Sequence, residues 1–146
     1  MASTAKTKIT ERDFQRLLEL RTSLRRFLRW SEAQALGAGM TSAQHQVLLA
    51  VRGHPDPEGP TIGDIARYMV LRPHSAVGLI DRTATAGLVQ RVPDPRRPGT
   101  VRVKLTSTGT ERLNQLTSLH LEELSALAPS MESLWSGIRG EVQAAR

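Results

Sequence analysis

Between Arg72 and Gly78 stand five residues whose types can read the edges of base pairs: Arg72, His74, Ser75, Val77 and Gly78. A guanidinium can bond guanine through two parallel hydrogen bonds, and a valine methyl can touch the methyl of thymine. An imidazole or a hydroxyl can bond a base or a phosphate, and a glycine lets a backbone come close. Pro73 sits among them, and proline fits the first turn of a helix, where its missing N–H would have no partner anyway. Some twenty residues on, Arg96 and Arg97 precede Pro98-Gly99. Arginine suits the narrow, electronegative minor groove of A·T-rich DNA. Arg82 has the charge to meet a phosphate, and Asp81-Arg82 also has the form of an internal brace. Each residue has a plainer alternative: capping or solvent exposure for His74 and Ser75, partial core for Val77, and a solvated loop for Arg96 and Arg97.

Bond-making chemistry has no comparable set. The chain has no GxSxG, HExxH or GxxxxGK[ST] pattern and no cysteine, so nothing points to an enzyme or a thiol sensor. The histidines, His45, His54, His74 and His120, lack metal-ligand spacing, so neither metal nor cofactor is expected.

The elements that must position these residues are legible from caps, periodicity and turns. Thr10 and Asp13 outline a capping box, and apolar residues follow at Phe14, Leu17, Leu18, Leu24, Phe27 and Leu28. That helix is expected to end near Ala35. Thr41 with Gln44 opens a second helix through Val47, Leu48 and Val51. His54–Pro60, HPDPEGP, reads as a loop. Thr61 with Asp64 caps a short helix to Tyr68, with Ile62, Ile65, Ala66 and Met69 inward. Pro73 begins the next, with Ala76, Leu79, Ile80 and Thr83 on one face, and Gly87 ends it.

Leu88–Val92 and Val101–Leu105 read as strands, the second with Arg102 and Lys104 outward. Pro98-Gly99 suits the centre of a type II turn. Thr106 starts a long leucine-rich helix that Pro129 is expected to break. Ser130 then caps a last helix through Met131, Leu134, Trp135, Ile138 and Val142. A short helix, a tight turn and a second helix make a helix-turn-helix, and the hairpin makes it winged.

Charge follows the same layout. Of the formal +6, the segment from Thr61 to Leu105 carries eight basic residues against three acidic, as a surface facing a polyanion would. Aromatic residues are only 3% of the chain, which disfavours base-stacking platforms for single strands and leaves duplex DNA. No stretch approaches the roughly 20 apolar residues of a membrane span. The opening MASTAKTK has no apolar run after its lysines and reads as a loose tail rather than a secretory signal. A cytoplasmic protein without a membrane partner is expected.

With those residues in place, LIDRTATAGLVQRVPD and VRVKLTSTGTERL give the chain a resemblance to the MarR (multiple antibiotic resistance regulator) family of bacterial transcription factors, over about Met40–Leu116. The resemblance implies a mostly α fold with a small β-hairpin: a winged helix-turn-helix over 40–106, with dimerisation helices at 1–39 and 107–146 of one domain. It implies a homodimer on a pseudo-palindromic operator, one helix in the major groove and the wing in the adjacent minor groove. It also implies a repressor released by a small, often aromatic acid.

Arg21, Arg25, Trp30 and His45, with Met40, are candidates for bordering such an effector. The sequence departs from the family at three places. Pro98 and Gly99 stand where wing arginines usually align. Arg72 replaces the usual Ser or Thr cap. Val70 stands at a turn that often has glycine, and because a β-branched residue resists positive φ, another turn geometry is expected there. A winged-helix module for an acidic protein partner, without specific DNA binding, is the competing reading.

Overall fold

The structure, a computed structural model, describes residues 8–144. The tail up to Thr7 and the side chain of Val142 lie outside the described residues. In order, the elements are α1 (Glu11–Gly37), α2 (Ser42–Gly53), α3 (Ile62–Met69), α4 (Pro73–Thr85), β1 (Val89–Pro93), β2 (Val101–Leu105) and α5 (Ser107–Ala144). They form two compact units. One takes α1 up to Trp30 and α5 from His120; the other is Ser31–Leu119.

The caps operate as their residue types suggest. Thr41 and Gln44 close a reciprocal box at the start of α2, and Thr61 and Asp64 do so for α3. Each box supplies side-chain partners to backbone N–H groups that a helix start leaves unsatisfied. At α1, Thr10 Oγ1 accepts from Asp13 N and Asp13 Oδ2 accepts from Thr10 N at 2.8 Å. Thr106 Oγ1 accepts from Gly109 N at 3.0 Å and donates to Gly87 O at 2.6 Å, so it caps α5 and ties it to the end of α4. Gly109 is obligatory there, since a Cβ would stand 2.0 Å from Leu88 O.

The core of the Ser31–Leu119 unit is built where the apolar faces of its helices meet the hairpin. Val47, Leu48, Ile65, Ile80, Leu88 and Val103 are buried within it. On α4 the inward face is Ala76, Leu79, Ile80 and Thr83, as the spacing predicts. β1 and β2 pair antiparallel, Val89 opposite Leu105 and Pro93 opposite Val101. Thr100 N donates to Arg97 O at 3.1 Å, and Gly99 lies at φ +84°. The hairpin thus turns through Pro98-Gly99 with glycine at the position that needs positive φ, as a type II turn requires.

Four expectations are corrected. α5 runs unbroken through Pro129. The φ of proline is itself helical, and Pro129 and Ser125 are both exposed, so water can take the carbonyl that lacks an N–H partner. α1 continues past Ala35 to Gly37. Val70 does adopt the left-handed conformation, at φ 53°, ψ 45°. Val70 N bonds Arg67 O and Leu71 N bonds Ala66 O, which satisfies the last carbonyls of α3 and fixes the turn. For a residue bearing a Cβ this conformation costs roughly 1–2 kcal/mol. Finally, Arg102 is buried rather than outward, for the reason given below.

Candidate nucleic-acid interface

The exposed face of α4 is the complement of its buried one. Arg72, His74 and Ser75 are exposed around its first turn, and Val77 and Gly78 are half-buried on the flank. Arg72 is the N-cap residue, and its side chain makes no capping hydrogen bond. Its guanidinium therefore stays available, and so do the first N–H groups of the helix, with the positive end of the helix dipole behind them. Arg82, one turn on, is exposed, and its Nη1 lies 3.3 Å from where a Cβ on Gly78 would stand. Gly78 thus leaves room for Arg82 rather than an open approach for a ligand. Asp81 forms its ion pair with Arg91 on β1, so Asp81 does brace the module, joining α4 to the wing, and Arg82 is not its partner in that pair.

The wing is anchored where its loop leaves the strands. Arg102 donates from Nε to Asp94 Oδ2 at 3.0 Å, and its Nη2 is 2.9 Å from the same oxygen. Its Nη1 donates to Gly59 O at 3.0 Å and lies 3.8 Å from Asp56 Oδ2. Asp94 is buried to 1% side-chain exposure and Arg102 to 10%. Arg102 turns inward because these acceptors satisfy its charge, which a buried guanidinium requires.

Asp56 and Asp94 each begin an Asp-Pro-X turn and accept from the N–H two residues on, Glu58 and Arg96. Those N–H bonds are the leading reason both carboxyls are held below the ordinary 3.8, with Arg96 and Arg102 adding to the effect and desolvation opposing it. Val103 N→Pro60 O at 2.9 Å completes the seam between wing and loop.

The two wing arginines consequently differ. Arg96 folds back on Asp56, Nη2 to the two carboxylate oxygens at 3.2 and 3.3 Å. Arg97, beside the turn, is exposed and has no ion pair among the described residues. Lys104 pairs with Glu58 at 3.5 Å.

A second brace steadies α3. His54 Nδ1 is 2.8 Å from Tyr68 Oη, and its Nε2 is 3.7 Å from Asp64 Oδ2. Burial pushes the Asp64 carboxyl up, but bonds from Thr61 and Arg67 outweigh it and leave it below the usual range.

Of the effector candidates, Arg21, Arg25 and Trp30 lie in the unit of α1 and the later part of α5, and His45 and Met40 are buried in the Ser31–Leu119 unit. Trp30 packs with Phe27 and with His120, ring centres 6.0 and 4.9 Å apart. His120 was no candidate on sequence grounds. Nor were Asp56, Asp94 and Arg102 read as a brace; the repeated Asp-Pro-X, which favours a side-chain-capped turn, was the signal present for the two carboxylates.

Residues 38–97 match the MarR family. The transcriptional activatory protein BadR of Rhodopseudomonas palustris is 33% identical over 109 residues, 74% of this chain; the chain spans 60% of that relative's length. A MarR family protein from Bacillus stearothermophilus has the same fold at TM-score 0.71 and 20% identity, covering 93% of this chain and 99% of that one. MepR of S. aureus, solved as a DNA complex, aligns at 0.69 and 16% identity over 94% and 99%. CouR of Rhodococcus jostii, solved with p-coumaroyl-CoA, aligns at 0.68 and 20% over 88% and 87%.

Proposed function

The chain belongs to the MarR family, and from that premise we propose that it is a DNA-binding transcription regulator working as a homodimer on a pseudo-palindromic operator. The observation that carries this reading is the start of α4: an exposed, polar first turn whose capping residue, Arg72, leaves its guanidinium unused, on a helix whose opposite face is core. A helix in this setting fits the major groove, where its N-terminal residues reach base edges. Arg72 is assigned to guanine, His74 and Ser75 to a base or phosphate, Val77 to a thymine methyl and Arg82 to the backbone. Gly78 keeps the flank low. Arg97 is assigned to the minor groove beside the wing, with Arg96 holding the wing rather than entering.

Two copies are needed because one recognition helix reads only a few base pairs. What supports self-association is the apolar surface left exposed on α1 and α5, at Phe14, Leu17, Leu18, Leu28 and Leu121. α1 and α5, within the segments 1–39 and 107–146, are accordingly assigned to dimerisation and 40–106 to reading DNA.

Repression, by an operator that overlaps a promoter, is the first reading of the direction of control. Activation is the second, favoured by the similarity to BadR, which is named for it. A small aromatic acid, free or as a thioester, is proposed as effector. CouR was solved with such a ligand. The unit of α1 and the later part of α5 has an aromatic cluster at Phe27, Trp30 and His120, and a cleft of about 480 Å³ lined by Phe27, Leu124 and Met131. Arg21 and Arg25 are exposed on the same helix and carry the charge for a carboxylate.

The test is selection of bound duplexes from a random pool, with and without benzoate and p-coumarate. Enrichment of an inverted repeat supports the reading. Failure to enrich any duplex favours a protein-binding winged helix instead.

A further inference from the structure

Val70 is the only non-glycine at positive φ among the described residues, and it is 90% exposed. The two facts conflict within the free protein. The hydrogen bonds that end α3 hold the left-handed turn, but they would hold it equally with glycine and do not account for a valine whose side chain touches only solvent. A costly side chain with no use inside the free protein points to use in a complex. Its neighbour agrees: Leu71 is 37% exposed, so the turn presents two apolar side chains rather than the polar surface of an ordinary loop.

The position of the turn limits what it can meet. Val70 lies three residues before Pro73, the first residue of α4. Three residues reach at most ~10 Å, less than the ~12 Å width of a major groove. If the start of α4 sits in that groove, Val70 is within reach of it. An isopropyl group there has no hydrogen bond to offer; the apolar feature of the groove is the 5-methyl of thymine.

We propose that Val70 is a specificity-determining residue that packs on a thymine methyl at the edge of each half-site, and that its left-handed turn is kept because it aims the side chain at that methyl. The inference rests on the DNA-binding reading above and adds a base preference to it. The Val70 contact is distinct from those assigned to α4, because it comes from the turn and is purely apolar.

The experiment pairs Val70→Gly and Val70→Asn, both tolerant of positive φ, with a selected operator in which each thymine in turn is replaced by deoxyuridine, which lacks only the methyl. Both variants are expected to melt no lower than the wild type, so any loss of binding is not loss of fold. The wild type is expected to bind one deoxyuridine-substituted operator roughly four-fold more weakly, the worth of one buried methyl. The variants are expected to bind the parent operator weaker by a similar factor and to lose nothing further at that position. If the wild type is indifferent to every such replacement, or the variants bind the parent operator as tightly as the wild type does, the proposal is overturned while the DNA-binding reading stands. If no duplex is bound specifically, both are overturned.

Discussion

Arg102 and Asp94 meet where the strands give way to the wing loop, in a buried pair 2.9 Å apart, and the same guanidinium holds the carbonyl of Gly59 from a loop 43 positions earlier. The wing is therefore a projection of the α2–α3 loop as much as of the sheet, and its aim depends on that pair.

Breaking the pair from one side is expected to cost more than removing it. Asp94→Asn leaves a buried guanidinium short of its counter-charge, and a loss of about 2–4 kcal/mol is expected in urea unfolding. The double variant Arg102→Leu with Asp94→Asn is expected to recover part of it. An additive loss would mean the two side chains act independently.

Acid is expected to loosen the same region. Asp56, Asp64 and Asp94 all have folded-state pKa values below 3.8. Their contribution is fully present above that value and is lost as pH falls through the lower folded values. Unfolding free energy is thus expected to be flat in these groups near neutrality and to decline below about pH 4. Asp94→Asn is expected to make that decline shallower.

The wing arginines are expected to separate in salt titrations of operator binding. Arg97→Ala weakens binding to all sequences and lowers the salt slope by about one contact. Arg96→Ala leaves the slope nearer the wild type and lowers stability by less than about 1 kcal/mol, since its pair with Asp56 is exposed. Equal slopes for the two variants would remove the distinction drawn between them.

Arg72→Ala is expected to cost roughly 1–3 kcal/mol in operator binding and to relax the choice at one base pair. Competition among operators altered one position at a time measures it. An unchanged base preference would reassign Arg72 to the phosphate backbone.

Much of this was legible in the chain itself, wherever a local rule decides. Thr41 with Gln44, Thr61 with Asp64, Pro73, and Pro98-Gly99 each act through neighbours within four residues, and each stands where the residue types place it. The misreadings came where distance or context decides. Alternation puts Arg102 outward, because its partners lie in a remote loop and just past the end of the other strand. The pairing of Asp81 with Arg91 rather than Arg82 is likewise set by how α4 packs on β1. Pro129 does not end α5, because its φ is already helical and water can reach the carbonyl of Ser125 that it leaves without a partner. For Val70 the general cost of positive φ was correct, but the hydrogen bonds ending α3 outweigh it.

The central claim is that two recognition helices, one from each copy, engage one duplex about a turn apart. Sedimentation equilibrium of the protein with its selected duplex tests it most directly, alongside Leu28→Glu, which places a charge on the exposed apolar face of α1. The account predicts two wild-type chains per duplex on half-sites about 10–10.5 bp apart, and a Leu28→Glu chain that is monomeric and binds poorly. A wild-type monomer that binds the duplex singly and with full affinity would contradict it.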